Sequence, residues 1–167
     1  MNEMQKELLN RMDKFRKLDF QSKVLDISKG EFGVLGVIML LNKEYNNSPF
    51  DCDENIENME NLREVTVGDI ANRMNISKPQ LSKLLNHTDE KGYTKRKVCE
   101  KDKRVTYVSI TEEGRIKATE EMKKMEVFSD KVLKKLGEED ALELARLFDK
   151  MYNILEEEIR DYVEKRG

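Results

Sequence analysis

Residues 65–115 read VTVGDIANRMNISKPQLSKLLNHTDEKGYTKRKVCEKDKRVTYVSITEEGR, and the rest of the chain is interpreted around them. Apolar residues recur there at helical spacing in two short blocks, which predict two helices separated by a tight turn at Asn75 and Ile76. The blocks are Val67, Ile70, Ala71 and Met74, then Leu81, Leu84 and Leu85. Residues 93–98 and 105–110 are β-prone, alternate in part and flank the charged run CEKDKR, which predicts a hairpin. The stretch therefore predicts a helix, a turn, a second helix and a two-stranded hairpin.

Capping signals mark where the second predicted helix begins and ends. Ser77 is a good N-cap residue, and Gln80 three positions later completes an S-x-x-Q capping box. Pro79 falls in the first turn, where its missing N–H is not needed. Gly92 is expected to end this helix as a left-handed cap, and Thr111 is expected to cap the helix after the hairpin.

The outward face of the second helix carries hydrogen-bonding side chains and has no carboxylate from Ser77 to His87. Its exposed members are predicted to be Lys78, Gln80, Ser82, Lys83 and Asn86. Lys and Gln can donate to base edges, and Ser and Asn can reach bases or phosphates. An ordinary solvated face is the alternative, but acidic residues outnumber basic ones in this chain, 34 to 31, and are missing here.

Charge is unevenly divided along the chain. The segment from Arg73 to Arg104 has ten basic and four acidic residues, a net charge of +6, whereas the whole chain carries -3. A local basic surface is the electrostatic footprint of phosphate binding. Together with the order of elements, it predicts a winged helix-turn-helix whose second helix enters the DNA major groove.

Two other functions remain open at this point. A winged helix can bind an acidic protein partner instead of DNA, or it can act as an architectural protein with little sequence preference. Specific operator binding survives an excess of random DNA, whereas architectural binding does not.

The flanks of this region are predicted to be helical, so the fold class is mainly α with a small antiparallel β wing. Residues 3–19 are predicted to form an amphipathic helix with Met4, Leu8, Met12 and Phe15 on one face. The run FGVLGVIMLL within 31–45 fits a buried strand or a buried helix, and its length favours the helix. Residues 46–63 are polar and acidic and predict a surface loop.

Two long helices are predicted after Thr111, interrupted at Gly137. Stripes that are apolar except for Ser129 repeat with heptad-like spacing at Ala118, Met122, Met125, Ser129, Val132 and Leu136, then at Leu144, Phe148, Met151, Leu155, Ile159 and Tyr162. Such stripes are typically covered by a second copy of the chain, and a monomeric helical hairpin is the alternative. We divide the chain into dimerisation and core helices (1–45), an acidic loop (46–64), the winged helix-turn-helix (65–115) and C-terminal dimerisation helices (116–167).

The residues of common catalytic and metal sites are missing from the sequence. The one histidine, His87, lies on the second helix, and no serine or cysteine is placed to form a nucleophile–base pair. Zinc spacings, phosphate-binding glycine loops and the calcium-loop pattern are also missing. We therefore expect no enzyme activity, no cofactor and no metal.

The sequence predicts a cytoplasmic protein, since nothing resembles a signal peptide and the longest apolar run is too short to cross a bilayer. Cys52 and Cys99 are expected to be free thiols. Cys99 is the better candidate for redox activity, because Lys97 and Lys101 lie two positions away on either side.

Three segments resemble the MarR family of bacterial transcriptional regulators. ISKPQLSKLL (76–85) is similar to the family's recognition helix, EKGYTKRK (90–97) to the helix end and first wing strand, and DKRVTYVSITEEGR (102–115) to the wing tip and next helix. The D-x-R at Asp102 and Arg104 is the most specific piece. Thr88 departs from the family, which usually has leucine there, and the loop 46–63 is longer than usual. Peroxide-sensing relatives use a cysteine in the first helix, and this chain has none there.

The resemblance implies an obligate homodimer with interlocking N- and C-terminal helices that represses transcription from pseudo-palindromic, double-stranded operators. Arg104 would enter the minor groove with Asp102 orienting its guanidinium, since narrow A·T-rich minor grooves attract arginine. The two recognition helices of a dimer would lie ~34–36 Å apart. The expected DNA-binding residues are Ser77, Lys78, Gln80, Ser82, Lys83, Asn86, Lys95, Arg96, Asp102, Lys103 and Arg104.

Many relatives release DNA when a small aromatic or lipophilic effector enters a pocket beside the winged helix-turn-helix. The candidate walls of such a pocket here are Phe15, Phe32, Leu35, Met39 and Met122. Plain hydrophobic core would also explain each of these residues, and methionine fills both kinds of site.

Overall fold

The structure is a computed structural model that describes residues 1–46 and 65–166. Within these residues the chain is mainly helical with a small antiparallel sheet, which confirms the predicted fold class. The predicted acidic loop, apart from Asn46, and Cys52 lie outside the described residues. The elements are α1 (Glu3–Lys17), α2 (Phe20–Val24), α3 (Lys29–Asn46), β1 (Val65–Thr66), α4 (Val67–Met74), α5 (Lys78–Glu90), β2 (Thr94–Val98), β3 (Thr106–Ile110), α6 (Glu112–Leu136) and α7 (Glu138–Glu164).

The chain forms two compact units, residues 1–125 and 126–167, and the boundary falls within α6. The predicted boundary between residues 115 and 116 also falls within this helix. The division of the chain into four functional segments stays a prediction.

Local capping signals shape the helix-turn-helix. Thr66 caps α4 in a reciprocal capping box with Asp69, and α4 ends at Asn75, whose φ of 51° is left-handed. Asparagine tolerates this conformation because its short polar side chain can bond locally. Ser77 caps α5 in a second capping box with Gln80, as the sequence predicted.

The core of the first unit forms around α3. Val34, Leu35 and Ile38 are fully buried there and pack in one cluster with Ile70 of α4 and Leu81 of α5. The run that fitted either a strand or a helix is therefore a helix, as its length indicated. Burial on nearly all sides explains why its apolar residues are not confined to the single stripe of an amphipathic helix.

The sheet has three strands in the order β1-β3-β2, one more than the sequence predicted. In β1, Val65 pairs with Val108 and Thr66 with Tyr107, antiparallel to β3. The predicted two-stranded hairpin is therefore corrected to a three-stranded sheet, with β1 as the added strand. A two-residue strand has no periodicity to detect, and its pairing with β3 is what defines it.

Gly114 allows the first turn of α6 to pack against the backbone of Tyr93, just after the end of α5. A Cβ atom at this position would lie 2.1 Å from the carbonyl oxygen of Tyr93, so only glycine fits. Thr111 caps α6 as predicted, accepting from the Gly114 amide at 3.0 Å, and its hydroxyl donates to the carbonyl of Gly92 at 2.6 Å. The first turn of α6 is thereby joined to the C-terminal end of α5.

The outer helices expose apolar side chains. Within the described chain α1 has no buried residue, and Met4, Leu8, Met12 and Phe15 on it are all more than half exposed. In the second unit, α7 likewise exposes its predicted stripe, for example Phe148 at 57% and Ile159 at 62%. Gly137, at a φ of 91°, separates α6 from α7 as expected, and the short α2 was not predicted. Among the described helices, each is too short or too polar to cross a membrane.

Candidate nucleic-acid interface

The face of α5 predicted to meet DNA is exposed to solvent. The exposed residues are Ser77, Lys78, Gln80, Ser82, Lys83 and Asn86, whereas Leu81 and Leu85 on the opposite face are buried. Ser77 and Gln80 bond to each other, with the Gln80 Oε1 atom accepting from the Ser77 amide at 3.0 Å and from its hydroxyl at 2.9 Å. These two side chains therefore help to form the helix N-terminus, where backbone N–H groups and the helix dipole favour a phosphate.

The C-terminal end of α5 is closed by a Schellman motif. The amide of Gly92, at a φ of 74°, donates to the carbonyl of Asp89, and the amide of Tyr93 donates to the carbonyl of Thr88. Both bonds satisfy carbonyls that the helix leaves without partners. The predicted left-handed cap at Gly92 is confirmed.

A buried carboxylate of α3 holds the same end of α5. Glu31 is 4% exposed, accepts from the Ser28 amide at 2.8 Å and pairs with the Lys91 Nζ atom at 2.6 Å. Burial by itself would raise the pKa of Glu31, but the bonds from Lys91 and Ser28 outweigh it and hold the pKa below its ordinary value. Glu31 therefore caps α3 and ties α3 to Lys91, the residue that directly follows α5.

A hydrogen-bonded network joins α5 to the wing, which we define as residues 94–110. Thr88, fully buried, bonds to the Leu85 carbonyl and shares a hydrogen bond of 2.7 Å with Thr94 of β2. Asp89 accepts from Thr94 at 2.5 Å and from the Arg96 Nε atom at 2.6 Å. We call Asn86, Thr88, Asp89, Thr94 and Arg96 the helix–wing network. At Thr88, where the resembling family usually has leucine, hydrogen bonds stand in place of apolar packing.

At the wing tip, Asp102 holds the side chain of Arg104 in one orientation. The Arg104 side chain is 91% exposed, and its Nε and terminal nitrogen atoms donate to the two oxygens of Asp102 at 3.0 and 3.1 Å. The Arg104 amide also donates to Asp102, and together these bonds hold the pKa of the Asp102 carboxyl below its ordinary value. A bidentate pair sets the plane and direction of the guanidinium. The contact of Arg104 with DNA stays a prediction.

Lysines carry the positive charge that this surface has available for phosphates. Several basic residues are engaged, such as Arg73 with Glu44 and Lys91 with Glu31. Within residues 1–46 and 65–166, by contrast, six lysines of the recognition helix and wing form no ion pair. They are Lys78, Lys83, Lys95, Lys97, Lys101 and Lys103.

Cys99 lies at the start of the connection between β2 and β3. Hydrogen bonds from the backbone amide of Asp102, the hydroxyl of Tyr107 at 3.7 Å and the amide of Lys101 lower the pKa of its thiol. The side-chain charges of Lys97 and Lys101, which suggested this thiol from the sequence, are not the cause. Redox activity of Cys99 stays a prediction.

The five predicted effector-pocket residues differ widely in exposure. Leu35 is fully buried in the core, Phe32 and Met39 pack against that core, and Met122 lies near Gly36. Phe15 is 71% exposed on α1. The structure thus places four of these residues in or beside the core and leaves Phe15 on the surface, and a shared pocket stays a prediction.

Two features that hold α5 in position were not predicted from the sequence. They are the ion pair of Glu31 and the hydrogen bond between Thr88 and Thr94. A signal for Thr88 was present, because it follows Leu81 and Leu85 at the spacing of the buried stripe. A polar residue at such a position needs a buried partner. Nothing in the local sequence indicated that Thr94 or Lys91 would supply the distant contacts.

Comparison with known proteins is consistent with this geometry. A sequence model described as "MarR family" matches residues 54–105. No curated protein sequence matches the chain. The fold resembles the S. aureus MepR–DNA complex (TM-score 0.61, 17% identity, 93% of this chain and 98% of that one).

Two further structures share this fold. A mutant of E. coli MarR aligns with a TM-score of 0.60 at 18% identity, over 91% of this chain and 97% of that one. Streptococcus pneumoniae FabT in complex with DNA aligns with a TM-score of 0.59 at 19% identity, over 89% and 98%. The chain thus has the winged-helix fold of these MarR-type structures, and the MarR family model matches its residues 54–105.

Proposed function

We propose that this protein is a homodimeric transcriptional repressor that binds pseudo-palindromic operator DNA and is released by a small effector. One observation carries the proposal. An exposed helix face without carboxylates lies beside a wing whose tip holds Arg104 91% exposed and braced by Asp102. This arrangement is suited to contact a major groove and the adjacent minor groove together.

The residues of this surface have distinct roles in the proposed complex. Lys78 and Lys83 on α5 face the major groove, where lysine donates to guanine edges or phosphates. Lys95 and Lys103 of the wing contact phosphates. Arg104 enters the minor groove, where Asp102 keeps its guanidinium oriented before DNA arrives. The MepR and FabT structures with the same fold are complexes with DNA, which supports this placement.

A second copy of the chain is proposed to cover the exposed apolar faces. On α1 these are Met4, Leu8, Met12 and Phe15, and α7 carries a second stripe that includes Phe148 and Ile159. Large apolar patches are rare on monomeric soluble proteins and mark interfaces. Two-fold symmetry would also match the two halves of an operator.

Release by an effector is proposed from the adaptable apolar residues near α3, with Phe15, Phe32, Leu35, Met39 and Met122 as candidate walls. A small aromatic or lipophilic compound fits that chemistry. A repressor acts where its operator is, so we also propose that the protein works in the cytoplasm.

A gel-shift titration on the DNA upstream of the protein's own gene tests the main claim. We expect retardation that persists in an excess of random DNA and that weakens steeply with salt, because counterions are released when lysines bind phosphates. Loss of the complex to random competitor would instead show architectural binding. No complex at physiological salt, but capture by an acidic protein, would favour the protein-interaction function.

A second titration tests the effector. A panel of small aromatic ligands is added to the preformed complex, and ligand-dependent release is expected. Leu35→Ala is unsuitable as a pocket variant because Leu35 belongs to the core, so Phe32→Ala and Met39→Ala are used, with thermal unfolding as the control for folding. Unchanged complex with every ligand, at concentrations that change no other property, would count against effector release by this class of compound.

A further inference from the structure

Asn86 lies on the exposed face of α5, yet its amide is already held from the wing. A terminal nitrogen of Arg96 donates to the Asn86 Oδ1 atom at 2.8 Å. Guanidinium groups only donate hydrogen bonds, so the oxygen of the Asn86 amide must face Arg96. The Nδ2 atom with its two donors therefore points away from Arg96.

Arg96 is held in turn by the rest of the helix–wing network. Its Nε atom donates to Asp89 at 2.6 Å, and the two side chains are only 32% and 23% exposed. Asp89 also accepts from Thr94, whose hydroxyl bonds to the fully buried Thr88. The orientation of the Asn86 amide is thus anchored, through Arg96 and Asp89, in the buried part of the molecule.

We propose, on the basis of the function proposed above, that Arg96 is a positioning residue that makes Asn86 a donor-only reader of DNA. A free asparagine reads adenine by donating to N7 while accepting from the N6 amino group. At Asn86 the amide oxygen is turned toward Arg96 and accepts from it, so in the proposed complex the Nδ2 donors rather than the oxygen face the bases. The remaining donors suit an acceptor edge, which is N7 or O6 of guanine or O4 of thymine.

This role differs from that of an arginine bound to a phosphate. An arginine that neutralises a phosphate contributes ~0.9 to the slope of log affinity against log salt. The charge of Arg96 is instead balanced by Asp89. Its removal is therefore expected to change the base preference of the complex while leaving the salt slope as it is.

Arg96→Met is the direct test, with DNA selection from a pool randomised at the operator positions and binding titrations at several salt concentrations. We expect the base opposite Asn86 to shift from guanine or thymine toward adenine, because the freed amide can then accept as well as donate. The salt slope is expected to stay that of the wild type. A slope lowered by ~0.9, or an unchanged base preference, would overturn the proposal.

Lys95→Met is the matched control, since Lys95 is the exposed neighbour of Arg96 on β2 and loses the same charge. As a proposed phosphate contact, Lys95 should lower the salt slope by ~0.9 when it is removed, but its removal is expected to leave the base preference unchanged. A shift toward adenine in this variant as well would assign the effect to charge alone and overturn the inference.

Arg96→Lys keeps the positive charge and is the second test variant, to be used if Arg96→Met folds poorly. A lysine ammonium can pair with Asp89 but lacks the planar fork that reaches Asp89 and Asn86 together. The base preference is therefore expected to shift in Arg96→Lys too. Wild-type selectivity in this variant would refute the role of the fork.

Asn86→Ala completes the cycle. The preference at the position that shifts in Arg96→Met should disappear in Asn86→Ala, and adding Arg96→Met to it should change nothing further there. A further shift in the double variant would mean that Arg96 acts independently of Asn86. If the wild type selects no sequence at all, the proposed function fails, whereas a selective wild type with negative variants defeats this inference alone.

Discussion

Substitution of Glu121 by glutamine should destabilise the first unit by about 2 kcal/mol at neutral pH. Glu121 lies on α6 with its side chain fully buried. It accepts from the Asp26 amide at 2.9 Å, and it pairs with the Nζ atoms of Lys117 at 2.8 Å and Lys124 at 2.7 Å. Through these bonds one carboxylate joins α6 to the segment that precedes α3.

The magnitude follows from what glutamine keeps and loses. The amide has nearly the same volume and one oxygen that can still accept from the Asp26 amide. It loses the charge that two ammonium groups share, and hydrogen bonds to charged groups contribute ~1.5–3 kcal/mol each. Lys117 and Lys124 are 20% and 36% exposed and can recover part of this from water, which places the net cost nearer one such bond than two.

The sign of the pH dependence is also determined. Burial by itself would raise the pKa of Glu121, but Lys117, Lys124 and the Asp26 amide hold the pKa below its ordinary value. A carboxylate with a lowered pKa in the folded state adds stability above its unfolded pKa and loses it as pH falls through the folded pKa. The difference between wild type and Glu121→Gln should therefore be full at neutral pH and shrink in acid.

Urea unfolding at one fixed protein concentration measures this difference, because the stability of a dimer depends on concentration. Glu120→Gln is the matched control: Glu120 neighbours Glu121 and meets the same Lys117, at 3.7 Å, but is 57% exposed. Exposed pairs contribute little, so this variant should stay within ~0.5 kcal/mol of wild type. Equal effects of the two substitutions, or a pH-independent difference, would refute the role of buried charge.

Four further predictions concern the winged helix-turn-helix, the contacts that stabilise it and the proposed dimer. Arg104→Ala and Lys83→Ala should each weaken operator binding by ~1–3 kcal/mol in a titration at physiological salt while leaving the dimer intact; wild-type affinity for Arg104→Ala would contradict the wing assignment. Gly114→Ala should cost ~1–3 kcal/mol in urea unfolding, since its Cβ atom would meet the Tyr93 carbonyl, and an unchanged midpoint would show that this contact relaxes freely. Lys91→Met should destabilise at neutral pH and progressively less in acid, because the ion pair holds the pKa of Glu31 low; a constant difference across pH would exclude that cause. Sedimentation at micromolar concentration should give the mass of a dimer, and a monomer mass would refute the proposed assembly.

Local signals in the sequence were sufficient for most of the helices. The capping box of Ser77 and Gln80, the left-handed Gly92, the Thr111 cap and the break at Gly137 all depend on residues within one or two helical turns. Neighbours in the chain are neighbours in a helix whatever the rest of the fold does. The acid-free face of α5 follows from the same periodicity, as does the exposed position of its polar residues.

The long-range contacts could not be deduced in this way. The pairing of Val65 with Val108 makes β1 a strand, and the pairing of Glu31 with Lys91 fixes the end of α5. Both depend on which distant backbone and side-chain groups are brought together when α3, α4 and α5 pack around one core. Alternative partners were equally compatible with the sequence.

The candidate interface shows the same division between local and tertiary information. The sequence by itself determined which residue types line α5 and that Asp102 precedes Arg104 by two positions, close enough to pair within one turn of chain. Only the tertiary structure decided the state of Arg96 and Asn86, because their partners lie on different elements. A hydrogen bond between a helix and a strand forms only where the fold places the two side by side. A basic residue that the sequence alone would assign to a phosphate can therefore hold another side chain in place in the folded protein.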